Sequence, residues 1–481
     1  MNDATLMYPQ LVLLIDGEWI DATGRASQEV IDPATGARLG TLPHATKQDL
    51  DRALEAAQRG FRTWRATSAF DRYRILRRAA EIIRERQEHI ATVLTREEGK
   101  IRSEALLEVV TSADIFDWYA EEGRRAYGRV IPGRTAGVRQ MVIPEPVGPV
   151  AAFTPWNFPA LTPARKIGGA LAGGCSLIIK PAEETPGTCL EMARAFQDAG
   201  LPAGVLNVVF GVPGMISEYL IASPVIRKIS FTGSVPVGKH LATLAAQHMK
   251  RATMELGGHS PVVIAEDADP EKTAEMAAKG KFRNAGQICV SPTRFFVHES
   301  IAERFAKRFA EAASALQTGN GLDPKSGMGP LANPRRVQAM EELVADARDR
   351  GGKVTAGGAK GGGEGYFFKP TVVTGLGDDA RLMREEPFGP VAPIVPFKSI
   401  DEAITRANSL PFGLAAYAFT NSARTSALLS DALEAGMVGI NTYGISTPET
   451  PFGGVKDSGY GQEGGIEGLE AYMVKKYVAA G

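Results

Sequence analysis

From Pro149 to about residue 440 the chain switches repeatedly between short apolar runs and longer stretches of helical periodicity. This alternation predicts parallel strands joined by crossover helices, because parallel neighbours cannot be linked by a tight turn. The first series has strand-like runs at 150–154, 176–180, 205–210 and 226–232. Helical stretches at 161–172, 187–199, 213–222 and 235–248 separate or follow them. The runs are apolar almost throughout, as a sheet covered on both faces requires. A second series opens near Ser260 and carries strand candidates at 293–298, 391–397, 414–419 and 436–440. The expected fold class is therefore α/β, with a doubly wound sheet in each of two units.

The rest of the chain reads differently. Residues 46–123 are helical, opened by a capping box of Thr46 and Asp49 and patterned by Leu76, Ala79, Ala80 and Ile83. Between Gly128 and Val147 short alternating runs with Gly and Pro predict a projecting β-hairpin. With the tail at 471–479 it forms a third element. The glycine-rich stretch Gly357–Gly365 reads as a surface turn, since it lacks the Gly-Lys-Ser/Thr ending of a phosphate loop.

Charge excludes several functions. Lys plus Arg number 54 and Asp plus Glu 55, so there is no basic footprint for nucleic acid. No apolar run approaches the roughly 18 residues of a membrane span. The opening MNDATLMYPQ has neither a basic nor an apolar leader segment, so no secretory leader is expected. Three cysteines in 481 residues make no disulfide framework and suit a reducing cytoplasm.

Cys289, in Gly286-Gln-Ile-Cys289, stands at the expected end of a helix over 270–285. A thiol there is either a nucleophile or a small buried hydrophobe. Cys175 and Cys189 fit the second description. Glu255, in Glu255-Leu-Gly-Gly258, is a candidate general base or a surface carboxylate beside a turn. Asn157 follows a strand end, where ligands of open α/β sheets bind, and its amide suits an oxyanion. Gly233 and Ser234 lie where a strand passes into a helix, a place that favours an anion. Lys180 and Glu183 follow the second strand, where a carboxylate can accept from ribose hydroxyls.

Taken together, these segments resemble the aldehyde dehydrogenase superfamily. The order is Trp156-Asn157, Lys180-Pro-Ala-Glu183, Phe231-Thr-Gly233-Ser, Glu255-Leu-Gly-Gly258, Gly286-Gln-Ile-Cys289, Glu385-Glu-Pro-Phe-Gly-Pro390 and Pro451-Phe-Gly-Gly-Val-Lys. The likeness runs from about Leu13 to Tyr477, and Glu255 and Cys289, 34 residues apart with their motifs, make its most specific pair. It implies a Rossmann-like NAD-binding domain (1–126 and 148–256), a catalytic domain (257–445) and an oligomerisation element (127–147 and 446–481). By that resemblance Cys289 attacks an aldehyde to give a thiohemiacetal, with Asn157 and a backbone N–H on the oxyanion. Glu255 then activates water against the thioester. Lys180 and Glu183 would bind the adenosine ribose, Trp156, Gly233 and Ser234 the pyrophosphate, and Glu386 with Phe388 the nicotinamide ribose. NAD is the expected cofactor, with NADP accommodated; no metal is implied. The expected assembly is a homodimer or homotetramer in the cytoplasm, with no nucleic-acid or membrane partner.

Within the superfamily the stretches 123–128, 281–294 and 451–461 resemble succinate and 2-oxoglutarate semialdehyde dehydrogenases. That likeness implies a carboxylated substrate held by Arg165 and Arg283, with Thr447 adding a hydroxyl. Two departures stand out. Ser291 replaces a second cysteine found in some of these enzymes, which removes a disulfide partner, and Gln462 replaces a common arginine. The alternatives are an aromatic or aliphatic aldehyde dehydrogenase, a cysteine-dependent esterase or amidase, and a protein that kept the fold without catalysis.

Overall fold

The computed structural model describes residues 8–481. The leader reading concerns residues 1–10, of which 1–7 lie outside the described residues. The first alternating series forms an eight-stranded sheet in the order 18–20, 13–15, 206–208, 177–180, 150–153, 228–233, 251–256, 459–460. Its five central strands are parallel, and both edges are closed by antiparallel partners. Read in chain order, the parallel strands run 3-2-1-4-5, so connections leave Val150–Phe153 toward both sides. That is the switch point at which such sheets bind ligands.

Registers bring the strand ends level. Phe153 is opposite both Lys180 and Phe231, and Thr232 is opposite Glu255. The loops leaving these strands therefore start from one edge of the sheet. The strand VAAF (150–153) is wholly buried, which explains its unbroken apolar sequence.

The second series forms a seven-stranded sheet in the order 353–356, 371–374, 391–397, 292–298, 260–264, 415–419, 437–440. All but its first pairing are parallel. Each sheet has its own apolar core, one drawn from residues 11–256 with Leu469 and Tyr472, the other from 262–433. The predicted hairpin, Arg129–Pro132 with Arg139–Pro146, pairs with Met473–Ala480 as a separate three-stranded sheet.

Four helices fill 47–123, and Thr46 and Asp49 make the reciprocal capping bonds read from sequence. One helix departs from expectation. Pro270–Phe282 stops three residues short of 285, because Asn284, Ala285 and Gly286 turn left-handed with φ of 47°, 51° and 73°. None of the described helices is long and apolar enough to cross a membrane.

Candidate active site

The left-handed turn delivers Cys289. At Gly286 both the positive φ and the close approach of the Gly389 carbonyl exclude a Cβ, so only glycine fits. The turn thereby locks the thiol loop to the segment that bears Glu386 and Phe388. Cys289 is half-buried, while Cys175 and Cys189 are fully buried. Burial, reinforced by the carboxylates of Glu386 and Glu255, pushes the Cys289 thiol up to about 12.

Asn157 faces this loop from the first sheet. Its Nδ2 donates to the Gln287 carbonyl at 2.9 Å, which uses one of its two amide hydrogens. Its own carbonyl accepts from Lys100 Nζ at 2.8 Å and from Asn284 Nδ2 at 3.0 Å. Lys100 is paired with Glu108 at 2.6 Å, and Glu108 also accepts from the backbone of Ala160 and Leu161. Two loops from different sheets are thus tied together by buried hydrogen bonds.

Glu255 contrasts with this. It lies within the strand Arg251–Leu256 and is 2% exposed, so it is not a surface carboxylate, and neither carboxylate oxygen has a hydrogen-bond partner among the described residues. Burial, with the nearby charge of Glu463, holds its carboxyl well above the usual range, opposed by Lys166 and Arg165. Glu463 accepts from Lys166 at 2.5 Å, and Lys166 also reaches Thr232 at 2.8 Å. The chain after Pro451 thus folds back onto the first sheet, where Gly459 is opposite Glu255.

The candidate groove for a dinucleotide is the row of residues along the same strand ends. Lys180 and Glu183 form an ion pair after the strand Leu177–Lys180. Gly233 ends its strand, and Ser234 opens the helix Val235–Gln247 without a side-chain cap, leaving backbone donors for an anion. Trp156 meets Phe388 edge to face at 5.5 Å, and Phe388 is held at φ 42°. Glu386 accepts from Gly258 N at 3.4 Å, and a Cβ at Gly257 would strike its carboxylate. Burial lifts Glu386 to about 8. Carboxylate acceptors at both ends for ribose hydroxyls, with anion donors between, fit a nicotinamide dinucleotide.

A cavity of about 300 Å³ opens beside the thiol loop. Ile288, Val290, Phe158, Tyr417, Tyr443 and Ser446 are in its wall, and Arg283 stands there too. Arg165 is 3% exposed, lies 4.5 Å from the Phe452 ring and donates to Ser446 at 2.9 Å. Thr447 is exposed and contacts Thr450 instead. The hydroxyl beside Arg165 is therefore that of Ser446, one residue earlier than expected. Sequence reasoning also missed Lys100, Glu108, Lys166 and Glu463. Only the last carried a local signal, an acidic residue two places after the Gly461 turn.

The fold, the thiol loop and the groove together define the class. The aldehyde dehydrogenase family model matches residues 19–478, and the chain belongs to that family, whose members are oxidoreductases using NAD or NADP. It is similar to 4-(hydroxymethyl)benzenesulfonate dehydrogenase TsaD1 of Comamonas testosteroni, 48% identical over 99% of each chain. It is also similar to the NADP-dependent succinate-semialdehyde dehydrogenase GabD of Escherichia coli K12, 42% identical over 100% of this chain and 99% of that one. The crystal structure of a succinate-semialdehyde dehydrogenase from Burkholderia pseudomallei superposes with a TM-score of 0.97, at 43% identity over 100% and 99%.

Proposed function

We propose that this chain oxidises an aldehyde with an anionic group at its far end, the semialdehyde class among them, to the carboxylic acid through a covalent bond to Cys289. The observation that carries the reading is the guanidinium of Arg283 in the cavity wall, with that of Arg165 bonded to the lining residue Ser446. Arg283 is exposed in its wall and touches the Phe158 ring, at 5.9 Å, with no salt bridge among the described residues. Arg165 stands behind Ser446 with no carboxylate in hydrogen-bonding contact among the described residues. A guanidinium binds a carboxylate or sulfonate as a planar fork.

Cys289 sulfur adds to the carbonyl carbon as its proton passes to solvent water, so that the thiolate's electron pair forms the C–S bond and the carbonyl oxygen takes the negative charge. The free amide hydrogen of Asn157 and the backbone N–H of Cys289 donate to the developing alkoxide. A nicotinamide dinucleotide, when bound, supplies the hydride acceptor that turns the thiohemiacetal into a thioester. Lys180 and Glu183 would hold its adenosine ribose, Trp156, Gly233 and Ser234 its pyrophosphate, and Glu386 with Phe388 its nicotinamide ribose. Glu255 then removes a proton from the water that attacks the thioester, which frees the acid and the thiol. Its unpartnered carboxylate supports that role, since a base must exchange its proton. NAD is preferred over NADP, because the Glu183 carboxylate repels a 2′-phosphate while Lys180 tempers the effect. The three-stranded sheet and its approach, with exposed Tyr127, Val130 and Tyr477, serve as the homo-oligomer contact.

The test compares succinate semialdehyde with butanal in the unmodified chain and in Arg165→Met and Arg283→Met. One charge-assisted bond contributes about 1.5–3 kcal/mol, so each variant should lose roughly ten- to a hundredfold in kcat/KM on the acid alone. Equal losses on both aldehydes would refute anion binding by these residues.

A further inference from the structure

The cavity walls say more about the body of the substrate than the arginines do. Three aromatic side chains, Phe158, Tyr417 and Tyr443, line it together with Ile288 and Val290. They are not loose. Tyr417 is 1% exposed and its hydroxyl donates to the Val290 carbonyl at 2.6 Å, which ties the ring to the residue after Cys289. Tyr443 packs on Tyr417 at 4.8 Å between centroids and on Phe419 at 5.1 Å. Its ring also rests on Gly280, where a Cβ would come within 3.2 Å, so the helix below is cut away to seat it. The Tyr443 hydroxyl is buried with no hydrogen-bond partner among the described residues, so the ring, not the hydroxyl, is what this position offers the cavity.

Resting on the reading above, we propose that Tyr443 determines specificity and that the substrate is an aromatic aldehyde bearing an anionic oxygen group, its ring against Tyr417 and Tyr443 and its charge toward Arg283. Flat, rigid walls favour a planar body because ring pairs gain beyond the area they bury, whereas a flexible four-carbon chain gains only area. The tilted, mutually packed rings also leave these walls little freedom to collapse around a thinner substrate.

The experiment measures kcat/KM for 4-formylbenzenesulfonate, 4-carboxybenzaldehyde and succinate semialdehyde with the unmodified chain, Tyr443→Phe and Tyr443→Leu. The unmodified chain should favour at least one aryl acid over succinate semialdehyde by about tenfold or more, and the better of the two names the anionic group. Tyr443→Leu should lower the aryl values roughly three- to tenfold, mainly through KM, and lower succinate semialdehyde by less, so that the aryl preference narrows. Tyr443→Phe should keep the unmodified chain's order of preference among the three, with an equal or higher Tm, because the ring is retained and the lost hydroxyl had no partner among the described residues. A preference for succinate semialdehyde, or equal losses on all three in Tyr443→Leu, would overturn the aromatic assignment while leaving Cys289 chemistry intact. Oxidation that persists in Cys289→Ala would instead defeat the reading beneath it.

Discussion

The two sides of the site are built on opposite principles. On the thiol side, Asn157 and the 284–289 loop are held by Lys100, Glu108, Asn284 and Gln287, with their polar groups largely bonded. On the other side Glu255 is just as buried, and its carboxylate has no hydrogen bond among the described residues. The difference follows from the work each side does. Oxyanion donors act only if fixed in advance, because reorganisation during reaction forfeits their advantage. A proton acceptor must instead change its charge, and bonds that hold one state would resist the other.

The comparison can be broken most severely at Cys289. Cys289→Ala should cut steady-state turnover by roughly 10⁴- to 10⁶-fold, as loss of a nucleophile does. Cys175→Ser and Cys189→Ser, if folded, should retain it. An active Cys289→Ala enzyme, assayed by NADH absorbance, would remove the thiol side altogether.

Lys100→Met tests whether the tie between the sheets matters. Removing one partner of a buried pair costs about 3–5 kcal/mol, and Asn157 loses a bond to its carbonyl as well. Denaturant unfolding should show that loss of stability, and acylation should slow. Unchanged stability would show that the network is ornamental.

The smallest effect lies in the groove. Glu183→Ser should shift the ratio of kcat/KM values toward NADP by several-fold, modest because Lys180 already neutralises part of the charge. Equal or better use of NADP by the unmodified chain would refute the preference for NAD.

The contrast also explains what could be read without a structure. The central strands were legible because burial on both faces writes continuous apolar runs, and Thr46 with Asp49 was legible because a capping box is local. The edge strands 13–15 and 18–20 were not, since three residues carry too little pattern. The helix end at Phe282 was hidden because Asn284 and Ala285 reach left-handed conformations only under the packing that Gly286 permits. Cys289, Glu255 and Asn157 could be picked out by motif. Lys100 could not: it lies 57 residues from the Asn157 carbonyl it holds and reads as one more charge in a helical region. The offset between Thr447 and Ser446 arose because loop register is set by tertiary contact with Arg165, not by local sequence.

The central claim is that the thiol side makes the thioester and the carboxylate side clears it. Rapid mixing of Glu255→Gln with excess aldehyde and NAD measures both at once. The account predicts a burst of NADH close to one equivalent per active site, followed by turnover slowed about 10²-fold or more. Loss of the burst together with turnover would contradict it, because Glu255 would then be needed to form the bond to Cys289.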